Sequence, residues 1–163
     1  MVSKVSEGIE ISVETFYQPD YSNPLQSEFM FAYRISIENK NSFPVKLHRR
    51  HWQIFDSNGQ NREVDGEGVV GVQPTLNPGE KYQYVSGCNL RTEMGRMIGV
   101  YQMENLITKK IFEVAIPSFE MVVPFKNNWI ICSLLTTAVT EFSRSGKWGF
   151  YLFYFFALRQ LLF

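Results

Sequence analysis

The sequence is poor in the side chains from which catalytic and metal centres are most often built: 163 residues hold two cysteines and two histidines. With only His48 and His51, no Ser-His-Asp grouping is identifiable, and no nucleophile–base pair or paired carboxylates stand out. Cys88 lies in an aromatic, strand-like stretch and Cys132 in a separate C-terminal segment. A thiol such as Cys88 reads as a small core residue rather than a nucleophile. Net charge is also absent, since sixteen basic residues balance sixteen acidic ones. Without a global field, binding to nucleic acid is not expected, nor is general attraction to an anionic membrane. The opening "MVSKVSEGIEIS" has no apolar signal segment, which predicts a reducing, cytoplasmic setting. There is no internal repeat and no low-complexity linker. No apolar run approaches the roughly 20 residues a spanning helix needs; the longest occupy residues 129–140 and 148–158.

What is present is alternation. Apolar residues recur at every second position: Ile9, Ile11 and Val13; Phe29, Phe31, Tyr33, Ile35 and Ile37; Tyr82 and Tyr84. This period belongs to strands with one buried face, and no long 3.6-residue period competes with it before Asn128. Turn chemistry punctuates the runs at "NPLQS", "NKNS", "DSNGQ" and "NPGE". Seven to eight short strands at this spacing predict an all-β antiparallel sandwich or barrel over residues 1–128. From Trp129 the character changes: 22 of the last 35 residues are apolar and 10 of the chain's 25 aromatics lie there. Residues 129–163 therefore read as an apolar, aromatic-rich extension. Membrane contact is expected only if that extension is an anchor.

Two stretches carry unusual constellations. In "EVDGEGVVGVQP", Gly66, Gly68 and Gly71 have the G-x-G-x-x-G spacing of a dinucleotide fingerprint. That motif works between a buried parallel strand and a helix whose N-terminus faces the pyrophosphate. Here polar "QNREVD" precedes it, while Pro74 and Pro78 forbid a helix after it. A glycine-permitted bulge or crossover is expected, with no dinucleotide and no other cofactor. In "VKLHRRHWQIF", Val45 and Leu47 are odd-numbered but Trp52 and Ile54 are even, so a β-bulge within "HRRH" is expected.

Hairpin arithmetic joins the two stretches. A three-residue loop with Gly59 left-handed sets Trp52 against Val64, Arg50 opposite Gly66 and Arg49 opposite Glu67. The surface made of His48, Arg49, Arg50, Trp52, Gly66, Glu67, Gly68 and Gly71 is accordingly the candidate for holding a partner protein or an anion. The competing reading pairs the arginines with Asp65 and Glu67 as surface salt bridges. Imidazole from His48 and His51, with Asp65 or Glu67, would suit a divalent metal. Residues three apart on a regular strand, however, face opposite ways, and only the bulge could converge them.

"RRHWQIFDSNGQNREVDGEGVVGVQPTLNPGEKYQYVSGCNL", followed by "GRMIGVYQM" and "FEVAIPSFEM", resembles the ApaG family over about residues 3 to 126. The resemblance implies an immunoglobulin or fibronectin type III-like sandwich. It also implies that the glycine motif sits in a β-protein, and it links the chain to cobalt tolerance and magnesium efflux. Related domains occur in F-box and polymerase-interacting proteins, which implies a non-catalytic recognition module. No catalytic residues carry over, and family members usually stop near Pro124 or Asn128. Phosphoester hydrolysis or phosphate binding at the arginine and glycine surface is the enzymatic alternative. Pairing of two copies through an edge strand also stays open.

Overall fold

A computed structural model describes residues 1–124. The extension at 129–163, its boundary at Trp129 and the membrane reading attached to it lie outside the described residues. Nine strands follow one another: β1 (Val2–Ser6), β2 (Ile9–Tyr17), β3 (Phe29–Asn39), β4 (Val45–Asp56), β5 (Asn61–Glu67), β6 (Thr75–Leu76), β7 (Lys81–Leu90), β8 (Met94–Asn105) and β9 (Ile111–Val122). They form two antiparallel sheets, ordered β1-β2-β3-β7 and β5-β4-β8-β9, with β6 pairing the start of β4. The sandwich implied by the family resemblance, and allowed by the alternation, is therefore the one observed; the additional strand in the count is the two-residue β6.

The alternation builds the core directly. In β3 every odd position from Phe29 to Asn39 is buried, and Ile9, Ile11 and Val13 of β2 pack beside them. From the facing sheet come Val45, Leu47, Trp52 and Ile54 of β4, Met97, Tyr101 and Met103 of β8, and Val114, Ile116, Phe119 and Met121 of β9. Trp52 is the hub: its ring meets those of Tyr33, Tyr101 and Phe119 edge-on at 5.9, 6.3 and 5.8 Å. Such packing adds about 0.5–1.5 kcal/mol per pair to the burial itself. Asn39, the one buried polar residue among those described, is fully engaged. Its Nδ2 donates to Phe43 O (2.8 Å) and Leu76 O (3.1 Å), and its Oδ1 accepts from Asn41 N–H. It thereby ties the end of β3 to β6 at no net desolvation cost.

The "DSNGQ" hairpin has the expected register. Gly59 has φ +86°, Asp56 N–H bonds to Gln60 O, and Trp52, Arg50 and Arg49 lie opposite Val64, Gly66 and Glu67. The expected bulge is also present. Against β8, Leu47 pairs with Met103 and Arg49 with Gln102, leaving His48 as the extra residue. A second irregularity lies on the other flank of β8, between the Met97–Phe119 and Gly99–Ile116 pairs.

Candidate functional site

The bulge decides where each candidate residue points. His48 and Arg49, on either side of the slip, both lie on the outer face of the second sheet. His48 Nε2 is 2.7 Å from Glu104 Oε2, and Arg49 lines a shallow depression of about 160 Å³ with Arg50, His51, Asp65, Gln102 and Glu113. Arg50, one residue on, turns to the inner face and is half-buried. The two arginines therefore leave β4 on opposite faces, although both residues line the depression. Trp52 follows Arg50 onto the inner face at 2% exposure, so it is a core residue and not a contact residue.

Arg50 lies over Gly66, where an added Cβ would come within 2.8 Å of the guanidinium. Its Nη1 donates to Gly68 O at 2.7 Å and Glu67 O at 3.2 Å. The arginine thus clamps the glycine loop through the loop's own carbonyls and is not held out to an external anion. Beneath it, burial raises the hydroxyl pKa values of Tyr33, Tyr84 and Tyr101, an effect the nearby Arg50 charge partly offsets. The Tyr84 and Tyr101 hydroxyls bond to one another.

The loop itself is a tight hairpin. Val69 N–H bonds to Val72 O and Val72 N–H to Val69 O, with Val70 and Gly71 both left-handed at φ +49° and +77°. This is a type I′ turn, which Asn or Gly ordinarily opens; a β-branched residue there is strained. Gly68 is needed for a different reason. At φ +55° it brings the chain so close to Val72 O that a Cβ would lie 2.1 Å from that oxygen. The bulge residue anchors the loop base, because His48 O accepts from Gly68 N–H (2.7 Å) and from Gln73 Nε2 (3.2 Å). Val69 is fully buried, while Val70 and Val72 are exposed at the tip. The amides of Gly68, Val69 and Val72 are thus occupied internally, unlike those of a phosphate cradle.

The histidines do not converge either. His48 is bonded to Glu104, whose other oxygen is 3.4 Å from Lys109 Nζ, whereas His51 Nδ1 is 3.0 Å from Asp65 Oδ1. Among the described residues no group of three or more His, Cys, Asp or Glu side chains could hold a metal ion. The His48 hydrogen bond and then Lys109 keep the Glu104 carboxyl below its ordinary pKa. Of the expected salt bridges, Arg49 makes none within 4 Å among the described residues, although Glu67 stands opposite it. Cys88 is buried, its thiol pKa pushed up by desolvation, with Arg62 Nη2 3.3 Å from Sγ. Sequence reasoning placed the 66–71 loop on the candidate surface but did not single out Val69 or Val70 within it, or Gln73 beyond it. Valine is not a turn former, so "GVVG" gave no hairpin signal.

The sandwich, its bulged central strand and its pinned glycine hairpin define an all-β domain of immunoglobulin-like architecture. Residues 19–105 match the model of the ApaG domain. The chain belongs to the ApaG family. It is 48% identical to Protein ApaG of Brucella anthropi over 124 residues, 76% of this chain and 95% of that protein, and it is equally similar to the Brucella canis protein. The crystal structure of a Bordetella pertussis protein called ApaA is similar with a TM-score of 0.69 at 41% identity. That match covers 71% of this chain and 94% of the other. A second X-ray structure is similar with a TM-score of 0.68 at 39% identity, covering 72% and 88%.

Proposed function

We propose that this chain is a non-catalytic, cytoplasmic protein-binding module whose contact surface is the 66–72 hairpin together with Arg49. One observation carries the reading: the hairpin is pinned from below and presents bare apolar side chains above. Arg50, the His48 carbonyl and buried Val69 fix its base, while Val70 and Val72 stand 60% and 48% exposed at its tip. A preorganised apolar tip loses little entropy on docking. Backbone strain in a segment so firmly held is a recurrent mark of recognition sites. Arg49, without an ion-pair partner among the described residues, supplies a cation at the hairpin base for an acidic group on the partner. The link to cobalt tolerance and magnesium efflux fits a module that regulates another protein by contact. No observation favours the phosphoester or metal alternatives.

The test uses the full chain and a triple variant, Arg49→Ala, Val70→Ser and Val72→Ser. Partners recovered with the parent are purified and titrated against both. Loss of an apolar anchor and a desolvated charge should weaken binding by about tenfold or more while the melting curve is kept. A variant that folds and retains every affinity would show that this surface is not the site.

A further inference from the structure

The two sheets end in edges of different chemistry on the side where β5 and β7 run. Along β5 the register to β4 pairs Arg50 with Gly66 and Trp52 with Val64, and the same series bonds Gly68 N–H to His48 O and Asp56 N–H to Gln60 O. The odd residues therefore turn their backbone groups outward, and they include Glu63, Asp65 and Glu67. An unpaired edge carrying three carboxylates is protected against strand addition.

The β7 edge has no such protection. Asn39 N–H bonds to Glu80 O, and the same register makes Tyr82, Tyr84, Ser86 and Cys88 the residues bonded to β3. Lys81, Gln83, Val85, Gly87 and Asn89 consequently direct their N–H and C=O groups away from the sheet. Arg62 confirms the direction independently, since it reaches across from β5 to bond Asn89 O and thereby closes that end. Among the described residues no strand pairs with the edge between Lys81 and Gly87, and only Lys81 in that stretch is charged.

The outer face beside this edge has a receptor-like shape. The cross-strand row Phe16, Ala32, Gly87 runs from half-exposed ring to no side chain at all, and the next row ends in Val85 at 57% exposure. An added Cβ on Gly87 would meet Met30 Sδ at 3.6 Å and Phe31 O at 3.7 Å, both ordinary contacts. The absence of a side chain is therefore not required by the fold. It leaves a trough floored by Gly87 and Ala32, walled by Met30 on one side and by Val85 and Arg34 on the other, with the Phe16 ring beneath the Arg34 guanidinium at its far end. A residue paired with Gly87 from an added strand would project its side chain over that trough. Large aromatic side chains fill this arrangement best, covering a backbone that glycine leaves bare.

We propose that the β7 edge, Lys81 to Gly87, is a strand-addition site for an extended segment of another protein with a bulky apolar residue, best an aromatic one, opposite Gly87. A second copy of this chain fits less well. Two-fold β7 pairing centred on Val85 sets Gln83 of the other copy over the trough, and pairing centred on Tyr84 sets Lys81 there, so a polar or charged group meets an apolar floor in each. Four edge residues also bury far less than the roughly 1,200 Å² or more of a stable dimer. An extended segment obtains its affinity from backbone hydrogen bonds and its selectivity from the single pocketed side chain.

The site goes beyond the hairpin surface proposed above and lies on the other sheet. Two fluorescein-labelled seven-residue peptides of alternating threonine and valine, one with tryptophan and one with alanine at its fourth position, are titrated against the full chain. The tryptophan peptide should bind about tenfold more tightly and slow amide exchange at Val85 and Gly87. Gly87→Val should abolish that preference with the melting curve unchanged. Val85→Pro, which removes an N–H directed to solvent, should weaken both peptides. The hairpin triple variant should bind both as the parent does, which separates failure here from failure of the proposed function. Equal affinity of the two peptides, exchange protection on β5 or β1 instead, or no binding of either peptide at millimolar concentration would each overturn the proposal.

Discussion

The two long sides of the sandwich are finished differently. On one side β9 packs against β1 and β2, and polar side chains stitch the join: Ala115 N–H bonds to Ser6 Oγ, and Thr15 Oγ1 donates to Glu120 O. On the other side one long arginine, Arg62, makes the join between β5 and β7. Arg62 crosses to Cys88 and Asn89, while Arg50 folds over Gly66 to the hairpin carbonyls. Backbone and short hydroxyls close one side as an extension of the core. A flexible cation holds the other, leaving an open strand edge and a projecting hairpin there. The difference places the closer packing on the first side and the two proposed contact surfaces on the second.

The largest expected effect tests the layer both sides share. Trp52→Ala should cost about 3–5 kcal/mol, because the cavity opens among Tyr33, Tyr101 and Phe119; chemical denaturation measures it. A loss below about 1 kcal/mol would place the hub of the core elsewhere. Next comes Arg50→Ala, which strands the Gly68 and Glu67 carbonyls and should cost about 1–2 kcal/mol. Its partner change, Arg49→Ala, should stay within about 0.5 kcal/mol. Hydrogen exchange should show the Arg50 loss concentrated in residues 66–72. Equal effects of the two changes would erase the distinction between clamp and contact residue.

Val70→Asn works in the opposite direction. Relieving a left-handed valine should stabilise the chain by about 1 kcal/mol, seen as a higher melting temperature, even as the apolar tip is lost. No gain would mean that the turn carries no strain. The smallest effect is with acid. Glu104 and Glu10 are held below the ordinary carboxylate value of 4.5, first by hydrogen bonds from His48 and Lys40 respectively. Their folded values lie below their unfolded ones, so the stability they add is present above about pH 4.5 and disappears as pH falls through the folded values. Glu104→Gln should therefore flatten the acid limb of the stability curve by lowering stability slightly at neutral pH while leaving it nearly unchanged well below pH 4.5, as denaturant titrations across that range would show.

The sequence made the frame legible because strand period, bulge and hairpin register are all local arithmetic. The parity change between Leu47 and Trp52 located the bulge, and Gly59 located the turn that sets Arg50 against Gly66. The same arithmetic gave the pairing of β4 with β5 but did not separate the destinations of Arg49 and Arg50. That separation depends on which residue of "HRRH" is the extra one, a choice made by His48 through Glu104 and through the loop that its carbonyl anchors. Trp52 looked like an interface aromatic by residue type, yet its even position already placed it inward with Ile54. The open β7 edge could not be read at all, because edge status follows from sheet order.

The bulge at His48 has a consequence for chain length. Deleting one residue within a strand ordinarily inverts every side chain beyond it, and such deletions are lethal to a two-faced sheet. Position 48 is an exception: Leu47 and Arg49 already face consecutive partners on β8, so removing His48 leaves Arg50, Trp52 and Ile54 pointing inward as before. The frame would survive as an ordinary strand, while the carbonyl that holds Gly68 and Gln73 would go with the deleted residue. Among the described strands, a length change at this point therefore remodels the 66–72 hairpin while leaving the two sheets of the sandwich in phase, which makes His48 a position where the loop can change without a change of fold.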